Sequence, residues 1–159
     1  MSNLLDSDAT AGPFLTDDGR RTLAARADHL RDVVLPQLLT LRHDPEYDNT
    51  LDDGYQRATH ELSRLTVLLV LARPVEATPD DPSVVELGEA VTVVLDDGNL
   101  ECYLLVDPAE ATLGGARISA QSPLGQALLG RRVGDQVEVL APGGTYRCRV
   151  LSTERPTRP

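Results

Sequence analysis

Asp44, Glu46, Asp48, Asp52 and Asp53 crowd into the run DPEYDNTLDDG with no basic residue among them. Oxygen-rich clusters of this kind are the donors that hard cations such as Mg²⁺ and Ca²⁺ take. Carboxylates about 6 Å apart repel by about 0.7 kcal/mol per pair even in water, so the cluster opposes folding unless a cation or a partner uses it. A solvated acidic turn accounts for the same residues, because Asp and Asn are good turn formers and charge runs commonly face water. The spacing lacks the glycine and ligand pattern of an EF-hand, so a free-standing Ca²⁺ site is not expected. His29, His43 and His60 are too far apart for a metal-ligand pattern. No glycine-rich phosphate loop or nucleophile elbow is present.

Two helical patterns flank the acidic run. Upstream, Thr16 is a plausible N-cap, with Asp17 and Asp18 in the first turn where carboxylates favour the positive end of the helix dipole. Leu23, Ala27, Leu30, Val34, Leu38 and Leu41 then recur at spacings of three and four, interrupted by Pro36, whose ring predicts a bend. Pro45, Asn49 and Gly54 predict a turn over 44–54. Downstream, Leu51, Tyr55, Ala58, Leu62, Leu65, Leu69 and Ala72 form a heptad-like seam, stopped by Pro74. Two such helices joined by a short connection must lie antiparallel. The expectation is a coiled-coil hairpin over 14–74 with its acidic tip at 44–54 and arms about 35 to 40 Å long.

Residues 1–13 are small, polar and acidic and read as a disordered tail. Residues 75–83, rich in Pro and acids, read as a linker. From 84 to 156 the pattern changes to alternation, with strands expected near 90–96, 99–106, 135–140 and 145–151. Asp96-Asp97-Gly98 and Pro142-Gly143-Gly144 supply hairpin turns. One short helix is expected over 122–130. Ser122 would cap it, Pro123 would occupy its first position, and Gly130 would follow its end. Leu124, Leu128 and Leu129 would form its apolar face. The fold class is therefore α+β: a helical hairpin followed by an antiparallel sheet curled around one helix.

Composition narrows the function. The chain has 159 residues, 41% hydrophobic and 25% charged, enough for one medium domain or two small ones. A net charge of −10 and 3% aromatic content oppose direct nucleic-acid binding, which needs concentrated positive charge or stacking platforms. Cys102 and Cys148 each fall in an apolar run and read as two buried thiols in a reducing compartment. The longest apolar run, Val67 to Ala72, is too short to span a bilayer, so a cytoplasmic protein is expected.

The stretch from Ile118 to Gly144, ISAQSPLGQALLGRRVGDQVEVLAPGG, resembles the C-terminal domain of the bacterial GreA/GreB transcript cleavage factors. It carries the family's Ile-Ser strand end, its Ser-Pro pair, the helix closing on Leu-Gly, the Gly-Asp turn and the Ala-Pro-Gly-Gly hairpin. The resemblance extends to the GEAVTVV run from Gly88 to Val94. Upstream it takes in Leu15-Thr16-Asp17-Asp18-Gly19 and Pro36, which lies at the family's spacing from Thr16.

This resemblance implies an FKBP-like fold for the C-terminal domain and RNA polymerase as partner. The coiled coil would enter the polymerase secondary channel, and the acidic tip would help the polymerase hold Mg²⁺ and a water. The chain would be no enzyme alone and would bind no cofactor of its own. Gln121, Ser122, Pro123 and Leu124 would form a ridge docking on the channel rim. The family's cleavage-competent tip, Asp-Leu-x-Glu-Asn, has no uninterrupted copy here. Counting without gaps from Pro36 places Thr50-Leu51-Asp52-Asp53-Gly54 on it; a shortened hairpin instead places Asp48-Asn49 on its Glu-Asn pair, with Asp44 or Glu46 as the other carboxylate. A metal ligand misplaced by about an ångström can cost about a hundredfold in rate.

The expected function is thus a Gre-like regulator that occupies the channel and inhibits transcription, with active transcript cleavage as the alternative. A prolyl isomerase would follow from fold analogy alone, and only Tyr103 and Tyr146 are available to line its pocket. A dimerising coiled-coil adaptor is disfavoured because the turn lets each chain satisfy its own seam, so a monomer is expected.

Overall fold

The computed structural model describes residues 12–41, 49–76 and 81–156. They divide into two compact units. One comprises 12–13 and the described part of 18–73; the other comprises 14–17 and the described part of 74–156.

The first unit is a pair of helical arms. Helix α1 (Asp17–His29) buries Gly19, Leu23 and Ala27, the four-residue spacing that keeps one stripe inward. A π-helical turn (Leu30–Val34) follows, in which Leu35 donates its N–H to the Leu30 carbonyl five residues back. Helix α2 (Leu35–Leu41) continues the arm. This turn is how the fold accommodates Pro36. A mid-helix proline loses an N–H bond and drives its ring against the carbonyl four residues earlier. Here the extra residue per turn resets the ladder, and Pro36 falls in the first turn of α2, where a missing N–H costs little.

Helix α3 (Asn49–Leu71) is the second arm, 23 residues and so about 35 Å long. It begins at Asn49, so the turn expected over 44–54 is helical from Asn49 through Gly54. Gly54 costs a helix only about 1 kcal/mol, too little to outweigh packing along the arm. The arms run antiparallel. Arg20 donates to the Leu69 and Ala72 carbonyls at the end of α3, Arg26 donates to Glu61 at 2.8 Å, and Leu38 faces Gly54. No helix among the described residues is long and apolar enough to cross a membrane.

The second unit opens with the short strand β1 (Phe14–Leu15), whose Leu15 carbonyl accepts from the Val75 N–H just after β2 (Arg73–Pro74). Its body is a five-stranded sheet built from β3 (Ala90–Leu95), β4 (Leu100–Val106), β5 (Arg117–Ser119), β6 (Gln136–Ala141) and β7 (Gly144–Glu154), in the order β5-β4-β3-β7-β6. The β3–β4 hairpin closes on Asp96-Asp97-Gly98 as expected, with Gly98 at φ 84°, a value that glycine adopts without a Cβ clash.

The sheet is not wholly antiparallel, because β5 runs parallel to β4. A parallel partner needs a crossover rather than a tight turn. Helix α4 (Pro108–Ala111), capped by Asp107, lies in that crossover. Helix α5 (Pro123–Leu128) covers the inner face, on which Val91, Val93, Leu105, Leu128, Val139 and Val150 are completely buried. Cys148 is buried on that face, whereas Cys102 is exposed, which corrects the expectation of two buried thiols. Both cysteines are free.

Candidate functional site

The Gln121–Leu124 ridge is built by serine chemistry at the end of β5. The Ser122 hydroxyl donates to the Ser119 carbonyl at 2.7 Å and accepts the Gly125 N–H at 3.0 Å, the N-cap bond anticipated from Ser-Pro. The Ser119 hydroxyl accepts the Gln121 N–H at 3.1 Å, so two serine hydroxyls make three hydrogen bonds across 119–125. Pro123 takes the first helical position. Gly125 is the tightest point: a Cβ there would overlap the Ser119 carbonyl oxygen, so only glycine lets α5 lie this close to the strand end.

Of the four ridge residues, Gln121 and Pro123 are exposed, while Ser122 is half-buried in its capping role and Leu124 is half-buried against the core. The outward chemistry is therefore an amide and a pyrrolidine ring. Leu129 departs from its expected place on the apolar face. Helix α5 ends at Leu128, Leu129 adopts extended ψ at 125°, and its side chain is 46% exposed. Gly130 follows at φ 79°, as its place after the helix end requires. Ser119, which the sequence marked only as part of the Ile-Ser strand end, and Gly125, which it did not single out, carry the geometry of this ridge. A glycine inside a six-residue helix was the available signal.

The acidic tip is only partly in view. Asp44, Glu46 and Asp48 lie outside the described residues. Asp52 and Asp53 stand on α3, Asp52 half-buried and Asp53 exposed. Consecutive helical residues are rotated about 100° from each other, so these two carboxylates diverge. Among the described residues no group of three His, Cys, Asp or Glu side chains converges on a point where a metal could sit.

Among the described residues Glu110 is the one carboxylate taken fully out of water, and its surroundings are rich in donors. It accepts the Thr16 N–H at 3.0 Å and the Thr16 hydroxyl at 2.6 Å, and Arg117 Nε stands 3.6 Å away. It secures the entering chain at 14–17 to the sheet unit. Near the other end of the linker, Asp81 accepts from the Ser83 hydroxyl and amide, which hold its carboxyl below the usual range, and Arg132 approaches at 2.5 Å.

Comparison with known proteins follows the same geography. The family model described as "Transcription elongation factor, GreA/GreB, C-term" matches residues 79–155. The chain is 32% identical to transcription elongation factor GreA of Geobacillus kaustophilus over 154 residues, covering 88% of this chain and 95% of that protein. It is 31% identical to GreA of Oceanobacillus iheyensis over 142 residues, covering 89% and 86%. The structure of GreA factor homolog 1 (Gfh1) of Thermus thermophilus aligns with 90% of this chain and 99% of that one at 28% identity, with a TM-score of 0.42. Near-full-length identity at this level, together with the family model on the sheet unit, makes this chain a member of the GreA/GreB transcription elongation factor family.

Proposed function

We propose that this chain binds RNA polymerase at its secondary channel as a monomer in the cytoplasm and inhibits RNA synthesis. The sheet unit would dock on the channel rim through Gln121 and Pro123, with Ser122 and Leu124 holding them in place. The helical arms would carry Asp44, Glu46, Asp48, Asp52 and Asp53 toward the catalytic Mg²⁺ of the polymerase. Family membership supports the partner. The observation that carries the inhibitory reading is the placement of Asp52 and Asp53 on successive positions of α3.

Transcript cleavage needs a hard cation bound by converging oxygen ligands, which generates the nucleophile and stabilises the departing oxygen. Two aspartates splayed around a helix do not present such a pair, and Asp is one methylene shorter than the Glu of the family's tip. Occupying the channel requires only shape and charge. The chain performs no reaction of its own in this reading, and the Mg²⁺ belongs to the polymerase.

The test is 3′ RNA cleavage in a backtracked RNA polymerase complex with Mg²⁺, using a GreA protein as positive control. Inhibition predicts no acceleration of cleavage, slowed RNA extension and displacement of GreA. Accelerated cleavage would mean instead that Asp44, Glu46 and Asp48, or Asp52 and Asp53, complete the metal site. A result with neither cleavage nor competition would remove the polymerase from the proposal.

A further inference from the structure

Between the arms of the first unit lies a groove of about 410 Å³ whose chemistry the polymerase reading does not use. Its floor is apolar, formed by Leu30, Val34 and Ala58. Two features open it. The π-helical turn at Leu30–Val34 departs from regular α-helical packing there, and the facing side of α3 presents Gly54 and Ala58, one helical turn apart. A Cβ added at Gly54 would meet only the Leu38 Cδ2, at 3.9 Å. Larger side chains at these positions would close the gap.

The rim carries Arg26, His29 and Arg57 against a single carboxylate, Glu61. Each arginine is fixed through Nε. Arg26 Nε donates to Glu61 at 2.8 Å and Arg57 Nε donates to the Asp53 carbonyl at 3.2 Å, so neither bond uses a terminal nitrogen of the fork. Among the described residues Arg57 pairs with no carboxylate. The Arg26 pKa is raised, chiefly by its hydrogen bond to Glu61, so its charge is permanent. With Arg26 paired to Glu61, Arg57 supplies the net positive charge of the rim among the described residues, in a chain whose net charge is −10. At physiological ionic strength the field of acids beyond about 8 Å is screened, so the rim's own charges decide what binds, with Asp53 one helical turn from Arg57 among them.

We infer that this groove is a binding site for a small phosphate monoester, with the phosphate on Arg57 and Arg26, His29 at its side and the organic part on the apolar floor. Guanidinium forks match phosphate oxygens bidentately, and the volume falls within the range of small-ligand sites. Binding here requires no polymerase, so the site stands or falls independently of the channel reading.

The experiment is an amide NMR titration of the ¹⁵N-labelled full chain with adenosine 5′-monophosphate, adenosine serving as the uncharged control at matched NaCl. Saturable shifts confined to 26–34 and 54–61 are expected, with a Kd of about 1 mM or tighter and no response to adenosine. Arg57→Gln, a substitution at an exposed position, should weaken binding about tenfold. Glu61→Gln should strengthen it a few-fold by removing the carboxylate paired with Arg26. The inference is overturned by the absence of saturable shifts up to about 10 mM, by shifts spread over arginines of the sheet unit, or by an Arg57→Gln titration equal to that of the native chain.

Discussion

Glu110 shows how much a single side chain can contribute when its environment is fully specified. A carboxylate removed from water is costly unless its oxygens are satisfied, and here Thr16 supplies two donors and Arg117 a nearby charge. Glu110→Ala deletes the acceptor of both Thr16 bonds and leaves Arg117 without this carboxylate. It should destabilise the sheet unit by about 2 to 4 kcal/mol in urea unfolding, with Thr16→Val costing about half as much. The two cysteines offer a second check at this scale. Burial, reinforced by Asp96, raises the Cys148 pKa, so its thiolate forms only above the usual thiol range. At pH 8 iodoacetamide should label exposed Cys102 readily and Cys148 only upon unfolding, as mass spectrometry of the intact protein would show.

The elements of this chain are shaped by a few positions where the backbone departs from the regular pattern. The π-helical turn before Pro36 lets one arm continue through a residue that would otherwise break it. Gly125 lets a six-residue helix press against the end of β5. Gly125→Ala must push α5 off Ser119, which should cost about 1 to 3 kcal/mol and displace Gln121 and Pro123 from their present geometry. The expected outcome is a lowered urea midpoint together with weakened competition against GreA for RNA polymerase. Ser122→Ala removes only the cap and should cost about 1 kcal/mol, with a smaller effect on competition.

At the scale of the whole molecule, the proposed function divides between the two units, and substitutions can separate them. Replacing Gln121 and Pro123 by Ala should lower affinity for RNA polymerase and so abolish competition and inhibition together. Replacing Asp52 and Asp53 by Asn should preserve competition, because neither residue lies on the proposed docking ridge, while reducing the inhibition proposed to depend on acidic charge near the catalytic Mg²⁺. Competition binding and RNA extension measured on the same variants would distinguish the two patterns. An equal loss of both activities in the tip variant would place docking energy on the arms instead.

Much of the architecture was legible in the residues because it depends on local chemistry. Strand alternation marked β3, β4, β6 and β7 to within a few residues, Asp-Asp-Gly marked a hairpin, and Ser122, Pro123 and Gly130 marked the start and end of α5. Those features follow from dihedral preference, side-chain period and capping, which a neighbour in sequence can reveal. The family motifs, too, are strings of such signals. Tertiary structure decided what depends on residues far apart in the chain: the burial of Glu110 beneath Thr16, the parallel pairing of β5, the outward face of Cys102, the helical start at Asn49 and the groove between the arms. At Asn49 and at Glu110 a local preference yielded to contacts made by residues distant in sequence. A glycine worth about 1 kcal/mol against a helix yields to the burial of a whole arm, and a buried acid is stable only because partners distant in sequence are brought to it.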